Sequence, residues 1–493
     1  MAQYEYRIDL ENADFPLLSS EEGRTVISPK SEEVYHKIIN KPYMYFCQNV
    51  MPYTEGYRSV SFKEIIPATT TTFISDIRII YCTDRTRAYM AIGTDRKVYI
   101  LGPSDTTWKR ARGVTISVTN SEDITVGTVN GISYIYNKQK GCYKYDYTTN
   151  AFSLVDLVGL VATDILGVAA SSGYLLAYSE YAFYWSSLLI PSDFTPSQVT
   201  GAGGGNVSEI DGKIKFAVAS TTGVYIYATA NVVSATSTGN KQYPFKLKEI
   251  IGSKGGITLD LVAYEANSDQ QFVFTTAGMM TISSTKAVTV LPEVTDFLAG
   301  KYFEDFDQDA LSFTTTLLDE NTTMRKKVKL IGTRYLVISY GIYQFTHAII
   351  YDIPLKKMGK VKFTHVDVIE YIVGQTEIAK ENICFLTESG RLVHMDFSSG
   401  DGVMVLGKLQ ASRTRMTTLL GVEVENCTSG TLYTAQAITG KLITEAVEGT
   451  PVIVEPNLKS WAFRITAKNH SIILIGDFKV NSMLITYILN GRR

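Results

Sequence analysis

Residues 124–136 read ITVGTVNGISYIY, and this stretch shows the local pattern that decides the fold. Two runs rich in β-branched and aromatic residues flank Asn130-Gly131, a dipeptide that supplies the two positive-φ positions of a tight hairpin. Similar runs recur at residues 224–227 (VYIY) and 272–274 (FVF), and Asp211-Gly212 predicts a second hairpin turn. Helical periodicity is confined to two short candidates, residues 31–39 and 292–306. We therefore expect an all-β protein.

A loose repeat of strand, Gly-containing turn and Tyr-rich strand extends through the middle of the chain. Its spacing is near the roughly 40–50 residues of a four-stranded propeller blade. This spacing favours a β-propeller, although an irregular β-sandwich with many hairpins stays open as an alternative. The repeat is centred on Tyr99, Ile135, Phe183, Ile226, Met280, Ile349 and Val393.

The two ends of the chain lack the repeat, which suggests three regions. Residues 1–60 are expected to form an N-terminal arm, residues 61–406 the propeller, and residues 407–493 a C-terminal β domain that the arm joins as a β-sandwich-like platform. Within the C-terminal region, residues 472–476 (IILIG) are apolar on both strand faces. Such a strand is typical of a sandwich, or of a sheet that a neighbouring subunit covers.

Composition excludes several classes of protein. The 493 residues are 45% hydrophobic, and 47 Lys and Arg against 49 Asp and Glu give a net charge of −2. A protein that holds duplex DNA tightly through its phosphates is expected to be more basic. Neither a membrane span nor a secretory signal is expected, since no apolar run approaches 18 residues and the first residues (MAQYEYRIDLENADF) are acidic. The 5 cysteines are scattered without a C-x-x-C motif and predict reduced thiols.

No motif for catalysis, cofactors or metals is complete. The sequence around Asp211-Gly212-Lys213 lacks the first glycine and the final Ser or Thr of a phosphate-binding loop, and the 5 histidines are dispersed. Residues 305–316 begin like a calcium loop but lack its glycine and final glutamate. Residues 102–108 (GPSDTTW) contain parts of a sialidase-type turn with compressed spacing and are interpreted as a blade turn. We therefore predict no catalytic, cofactor-binding or metal-ligating residue, no cofactor and no enzyme activity.

Basic clusters occur at residues 108–112, 325–329, 356–362 and 491–493. Each is interpreted as a solvated strand edge or turn, where Lys also discourages edge-to-edge pairing. The alternative is a salt bridge to another subunit. Arg413 and Arg415 are the candidates for such a contact, because residues two apart on a strand share a face.

Several stretches, in order, resemble the tail nozzle (tail hub) family of short-tailed phages, the podoviruses, which includes their packaged DNA stabilisation proteins. The similarity covers most of residues 45–490. The stretches are residues 48–58 (QNVMPYTEGYR), 213–227, 243–245 (YPF), 250–257, 260–283, 291–298 (LPEVTDFL), 334–340 with 348–352 (AIIYD), and 461–464 with 472–476.

The resemblance implies a structural virion protein assembled in the bacterial host cytoplasm. Six copies would form a nozzle below the portal and its adaptor ring, retain packaged double-stranded DNA, and conduct it during ejection without sequence-specific binding. Tail fibres, spikes or tip proteins are possible further partners. Small uncharged residues in two segments, 201–205 and 230–239, are the candidates for a channel-constricting loop, specifically Gly203, Gly204, Ser234 and Thr236.

Two other functions stay open. A carbohydrate-binding or carbohydrate-cleaving propeller that recognises a receptor would show paired carboxylates or an aromatic platform on its axis. A cellular protein-interaction propeller would usually show regular Trp-Asp repeats, and this sequence has none.

Overall fold

The computed structural model describes most of the chain between residues 44 and 410 and separate segments towards both ends. The described residues are 3–9, 25–26, 44–113, 123–266, 268–284, 289–291, 294–295, 324–370, 383–398, 400–410, 416–424, 430–437, 447–448, 452–454, 460–467 and 469–490. Of the two helical candidates, residues 31–39 lie outside this set, and residues 292–306 are described only at Val294 and Thr295.

Six strands precede the repeats. They are β1 Gln3–Asp9, β2 Thr25–Val26, β3 Met44–Gln48, β4 Val50–Tyr53, β5 Gly56–Ser59 and β6 Ser61–Ile66.

Seven successive antiparallel units, hereafter blades 1–7, then occupy the centre of the chain. Blade 1 consists of β7 Phe73–Tyr81, β8 Arg87–Gly93, β9 Val98–Leu101 and β10 Lys109–Arg110. Blade 2 consists of β11 Ile124–Val129, β12 Ile132–Asn137, β13 Gly141–Asp146 and β14 Ala151–Val155. Blade 3 consists of β15 Gly167–Ser171, β16 Tyr174–Tyr178, β17 Ala182–Trp185 and β18 Gly203–Asn206.

Blades 4–7 follow the same order. Among the described residues, short 3-10 turns lie in two connections, at Ala162–Asp164 before blade 3 and at Leu259–Leu261 before blade 5. Blade 4 consists of β19 Ile214–Ala219, β20 Gly223–Ala228, β21 Val232–Ser237 and β22 Phe245–Glu249, and blade 5 of β23 Val262–Ala263, β24 Gln271–Thr275, β25 Gly278–Ile282 and β26 Thr289–Val290. Blade 6 consists of β27 Arg325–Ile331, β28 Tyr335–Gly341, β29 Phe345–Asp352 and β30 Lys357–His365. Blade 7 contains β31 Asp367–Glu370, β32 Ile383–Leu386 and β33 Leu392–Asp396.

Nine strands complete the described chain. They are β34 Gly402–Gln410, β35 Thr417–Val424, β36 Gly430–Ala437, β37 Val447–Glu448, β38 Val452–Val454, β39 Ser460–Ala467, β40 Asn469–Gly476, β41 Lys479–Val480 and β42 Ser482–Leu489.

The blades close into a ring. Their first strands lie side by side: β11 contacts β7 and β15, β15 contacts β19, and β27 contacts β23 and β31. Blades 4 and 5 are joined by the Tyr227 hydroxyl, which donates to Oε1 of Gln271 over 2.7 Å. The ring is completed where β31 of blade 7 contacts β7 of blade 1. A cyclic arrangement of four-stranded meanders is a β-propeller.

Blade 7 obtains its fourth strand from the other end of the propeller sequence. Strand β6 pairs antiparallel with β33, with Glu64 opposite Val393 and Ser61 opposite Asp396. The ring is therefore fastened by hydrogen bonds between segments more than 300 residues apart.

Most of the remaining strands form two further sheets, hereafter the platform. One has the order β1-β42-β35-β39, and the other has the order β2-β34-β40-β36-β37, with β3 paired to β34 and β38 to β36. Buried residues of both sheets, including Leu474 and Ile485, belong to one hydrophobic core that extends to Phe272 and Ile338 of blades 5 and 6. Because the two sheets share this core, they pack as a sandwich.

The platform and the propeller are also joined through backbone pairing. The β4–β5 hairpin extends blade 6, since β4 pairs with β30 and β5 with β41 from near the C-terminus. Of the predicted boundaries, residue 61 coincides with the start of β6, whereas β34 runs across the position between 406 and 407. The fold class is confirmed: an all-β propeller with a sandwich-like platform built from the N-terminal arm and the C-terminal region.

The sequence repeat corresponds to the blades one for one. Each of its seven central residues lies on the second or third strand of a different blade, namely Tyr99 on β9, Ile135 on β12, Phe183 on β17, Ile226 on β20, Met280 on β25, Ile349 on β29 and Val393 on β33.

The two predicted hairpin turns have different outcomes. Asn130 and Gly131 have φ angles of 53° and 76° and join β11 to β12, as predicted. The prediction for Asp211-Gly212 is wrong. Gly212 has a φ of 88°, but its segment links β18, the outer strand of blade 3, to β19, the first strand of blade 4, and these strands do not pair.

Candidate functional site

A cavity of about 240 Å³ lies at the centre of the ring, hereafter the axial cavity. Its lining comes from the first strands of blades 1, 2, 6 and 7 and from the segment around β23 of blade 5. Blades 1 and 5 are not neighbours in the ring, so residues from both can meet only at the propeller axis.

Asp367 joins three blades beside this cavity. Its carboxylate accepts hydrogen bonds over 2.9 Å from the backbone N–H of Ile77 on β7 and over 2.8 Å from Nζ of Lys327 on β27. The Lys329 ammonium lies 3.7 Å from the same carboxylate, and Lys327 also lies 3.5 Å from Asp260. Burial alone would raise the pKa of Asp367, but Lys327 and Lys329 outweigh it and lower that pKa to about 2. The charged network therefore fixes the joint at which the ring closes.

This network corrects the interpretation of residues 325–329 as a solvated strand edge. The Lys327 side chain is 4% exposed, and burial lowers the pKa of Lys329, whose ammonium also lies near the charged Lys327. Lys360, in the basic cluster at residues 356–362, is buried as well. Lys327 is buried because β27 is an inner strand of the propeller, where alternate residues face the axis or a neighbouring blade. Lys360 lies on β30, which is not an exposed edge because β4 pairs with it opposite Lys360.

Three carboxylates stand in or near the mouth of the cavity: Asp260, Glu265 and Glu370. Arg87 pairs with Glu370 over 3.4 Å. Burial, and then the negative charge of Glu370, raise the pKa of Glu265 to about 7, against smaller opposing effects of Lys329 and Arg87. A carboxyl group with this pKa exchanges its proton near neutral pH.

Deeper in the wall, Asp76 pairs with Arg78 through its Oδ1 atom over 2.9 Å. The other carboxylate oxygen, Oδ2, is buried and has no hydrogen-bond partner within the described part of the chain. An acceptor without a donor is costly in a protein interior and calls for an explanation.

The sequence analysis did not single out these acidic residues. A signal was present, since Asp76 interrupts the otherwise apolar run of FISDIRIIY (residues 73–81). An ionisable residue inside a buried strand is rarely left without a partner or function.

The residues proposed for a channel-constricting loop lie on strands. Gly203 and Gly204 belong to β18, the outer strand of blade 3, and Ser234 and Thr236 belong to β21 of blade 4. The prediction that they form loops is therefore wrong. Ser234 is buried and donates to the Lys248 carbonyl, so it is not available to a duplex in a channel.

The glycines of β18 are explained by close approach. A Cβ atom on Gly204 would lie 2.4 Å from Cδ1 of Tyr184, and one on Gly203 would lie 3.0 Å from the Trp185 ring. Aromatic side chains of the adjacent strand thus require small residues here. The exposed connection in this region is instead residues 238–243, between β21 and β22.

The GPSDTTW stretch is a turn between β9 and β10, as predicted. Asp105 accepts the backbone N–H of Gly102 over 2.8 Å, and the Trp108 indole N–H donates to the Gly390 carbonyl of blade 7 over 2.7 Å. This turn therefore ties blade 1 to blade 7, next to the closing strand.

Arg413 and Arg415 lie outside the described residues, so their assignment to a subunit contact stays a prediction. Cys47, Cys82, Cys142 and Cys384 are buried. Across the described ranges, no group of three or more His, Cys, Asp or Glu side chains is arranged to hold a metal ion. Among the same residues, no helix has the length and apolar character of a membrane span.

No protein-family model matches the chain, and no curated protein matches it. Among solved structures, the chain is similar to the WD40 β-propeller domain of Doa1, at 7% identity and a TM-score of 0.39. That similarity covers 68% of this chain and 97% of the other.

Proposed function

We propose that this chain is a structural protein of the short tail of a bacteriophage: a nozzle that closes the portal–adaptor channel, retains packaged DNA and conducts it during ejection. The observation that supports this most is architectural. A ring of blades, closed by its own N-terminal strand β6, is fused to a platform that contains both ends of the chain. The ordered resemblance of residues 45–490 to the tail nozzle family agrees with it.

Such an architecture suits a part that bears load. Each blade packs against two neighbours, so a force on one blade is shared around the ring. The β6–β33 pairing and the Asp367 network resist opening at the joint where a ring of separate sheets is weakest. The role proposed is mechanical, without turnover of a substrate.

The proposed assembly is a homohexamer below the adaptor ring, in the virion tail, assembled in the host cytoplasm. A net charge of −2 fits a channel through which a duplex must slide, because a strongly basic lumen would hold its phosphates. Arg413 and Arg415 are proposed for subunit contacts. With the loop assignment corrected, the exposed residues 238–243 and Gly204 on the edge strand β18 are proposed to face the channel.

The experiment that tests retention uses particles assembled without this protein. Such particles are expected to lose DNA to added nuclease, and the purified chain is expected to restore protection when it is added before the nuclease. A chain in which residues 238–243 are replaced by a two-residue turn should still bind the particles but protect the DNA less. Full DNA retention in particles that lack the protein would refute the proposal.

A carbohydrate-cleaving propeller is the second candidate, and one observation favours it. The alternative requires paired carboxylates on the axis, and Glu265 and Glu370 both line the axial cavity. Two carboxyl groups, one of them with a raised pKa, are the usual pair for glycoside hydrolysis. Against it, Tyr264 is the one aromatic residue in the lining, so the cavity offers little surface for sugar stacking. Release of reducing sugar from host polysaccharide, abolished in Glu265→Gln, would establish this candidate.

A further inference from the structure

The charges of the described residues around the axial cavity do not balance. Among these residues, five carboxylates line or adjoin the cavity, against four cations, and the cations already form ion pairs. Arg78 pairs with Asp76, Lys327 with Asp367 and Asp260, Lys329 with Asp367, and Arg87 with Glu370. Among the described residues, Glu265 is the carboxylate that has no ion pair.

Glu265 is nevertheless half-buried and lines the same cavity as a second carboxylate, that of Glu370. Taking a charged carboxylate out of water is unfavourable unless a cation or hydrogen-bond donors compensate. The described chain supplies neither to Glu265 within ion-pair distance. One additional positive charge next to Glu265 would balance the charges of the described residues around the cavity.

A second, independent acceptor in the cavity wall also has no hydrogen-bond donor among the described residues. The Asp76 side chain is 4% exposed and lines the cavity, and its Oδ2 atom has no hydrogen-bond partner in the described chain. An occupant with several N–H groups would offer donors to an acceptor-rich wall, whereas an anion would offer none.

Aliphatic side chains make up much of the remaining lining, beside Thr128 and Tyr264. They come from five different blades: Ile79, Val126, Val262, Ile331 and Ile369. An alkyl chain lying against them would be removed from water, which favours its binding. Aliphatic side chains offer no ligand to an inorganic cation, so this part of the lining favours an alkylammonium ion.

We propose that the axial cavity binds a primary alkylammonium group, with its nitrogen between Glu265 and Glu370 and its alkyl chain along the aliphatic lining. Two sources present this chemistry: a free aliphatic amine, and the side chain of a lysine on a protein partner. The inference is independent of the proposed tail function, since it rests on the cavity alone.

The test is calorimetric titration of the full chain with n-butylamine and, separately, with Nα-acetyl-lysine amide. Both carry one primary ammonium, and n-butanol is the neutral probe of the same shape. Binding of either amine without binding of n-butanol supports the proposal, and a clear preference for the lysine derivative indicates a protein partner. Absence of binding by both amines at millimolar concentration overturns it.

Glu265→Gln is the decisive variant, because it removes the unpaired charge while keeping the volume of the side chain. It is expected to weaken amine binding about ten-fold or more, as for loss of a charged hydrogen bond. The matched control is Glu209→Gln, on the connection between blades 3 and 4, which should bind as the unmodified chain does. Equal binding by Glu265→Gln and the control overturns the proposal.

A measurement on the unmodified chain gives a second readout. An ammonium beside Glu265 stabilises its ionised form, so binding near neutral pH should release a fraction of a proton. Titrations in two buffers of different ionisation enthalpy measure this release. Amine binding with no proton release would place the amine elsewhere and contradict the proposal.

Discussion

At the scale of single residues, the most consequential side chain is Asp367, which lies where blades 1, 6 and 7 meet. Its carboxylate holds Lys327 at 2.8 Å and the backbone of β7 at 2.9 Å, all in the interior. A buried ion pair adds little net stability when both partners are present, but the loss of one partner is costly because the other charge stays buried.

Asp367→Asn is therefore expected to lower the apparent free energy of unfolding by about 3–5 kcal/mol, measured by urea denaturation. The matched control is Lys213→Ala, which breaks the exposed pair with Glu180 and should have little effect on stability. If the two variants lose equal stability, the Asp367 network does not hold the ring.

The glycines of β18 allow a comparison between neighbouring residues. A Cβ on Gly204 would meet the Tyr184 ring at 2.4 Å and the Phe183 carbonyl at 2.9 Å, whereas one on Gly205 would meet nothing within 4 Å. Gly204→Ala should therefore destabilise the chain by about 1–3 kcal/mol, and Gly205→Ala should leave it unchanged or stabilise it by about 0.4–1 kcal/mol. Thermal unfolding of both variants measures this, and equal effects would show that close approach does not explain these glycines.

Two buried histidines predict loss of stability on mild acidification. Burial lowers the pKa of His365 and of His470 to about 4. In the unfolded chain both histidines bind protons at higher pH, so their contribution is fully present above about pH 6.5 and decreases as pH falls towards 4. The raised pKa of Glu265 has the opposite effect on stability over part of this pH range, because it favours the folded state as pH falls. Glu265 is present in every variant compared, so this effect cancels in the comparison.

The double variant His365→Gln, His470→Gln should accordingly lose less stability than the unmodified chain between about pH 7 and pH 5. Urea midpoints at the two pH values provide the measurement. Parallel losses in both proteins would mean that other groups govern the acid response.

At the scale of secondary-structure elements, β6 determines whether the ring is closed. Phe62 on this strand stacks on Phe363 of blade 6 with ring centroids 4.5 Å apart and meets Phe385 of blade 7 edge-on at 5.7 Å. Phe62 thus anchors the closing strand both to blade 7, in which that strand pairs, and to the neighbouring blade 6.

Phe62→Ala is expected to destabilise the chain by about 2–4 kcal/mol, since it removes a large, partly buried ring from this contact. Lys63→Ala, on the same strand but with an exposed side chain, is the control and should have little effect. Limited proteolysis should also cut the connection between β6 and β7 faster in Phe62→Ala than in the unmodified chain, whereas Lys63→Ala should be cut at the unmodified rate. Equal proteolysis of both variants would mean that the closing strand is not held by this packing.

The same elements show how much of the fold could be predicted. Hairpins such as β11–β12 are encoded locally, by alternating residues around Asn130-Gly131, and the repeat centred on residues such as Ile135 and Ile226 reflects one blade each. The β6–β33 pairing leaves no such local trace, because nothing in residues 61–66 specifies a partner more than 300 residues away.

The burial of charged side chains could not be predicted from the sequence either. Lys327 looks like a surface residue in a run of cations, and only the position of β27 beside the axis makes it interior. The axial cavity is formed by five blades, so neither its size nor its excess carboxylate could be derived from any one segment. The supposed loop residues Gly203, Gly204, Ser234 and Thr236 were misassigned because small residues mark close packing as well as flexible turns.

At the scale of the whole molecule, both chain ends converge on the platform, and the platform shares one hydrophobic core with blades 5 and 6. Propeller and platform are thus joined by packing and by strand pairing through β4, β5 and β41. A unit of this kind transmits force between its parts instead of hinging, which is what the proposed tail role requires. We therefore expect the protein to function as part of a larger assembly.

Electron microscopy of the purified chain mixed with portal–adaptor complexes tests this claim most directly. The account predicts rings with sixfold symmetry that cap the adaptor, coaxial with the portal channel, each of their six subunits showing one propeller and one platform. Chains that remain monomeric and leave the adaptor uncapped, under conditions in which the portal–adaptor complex is intact, would contradict it.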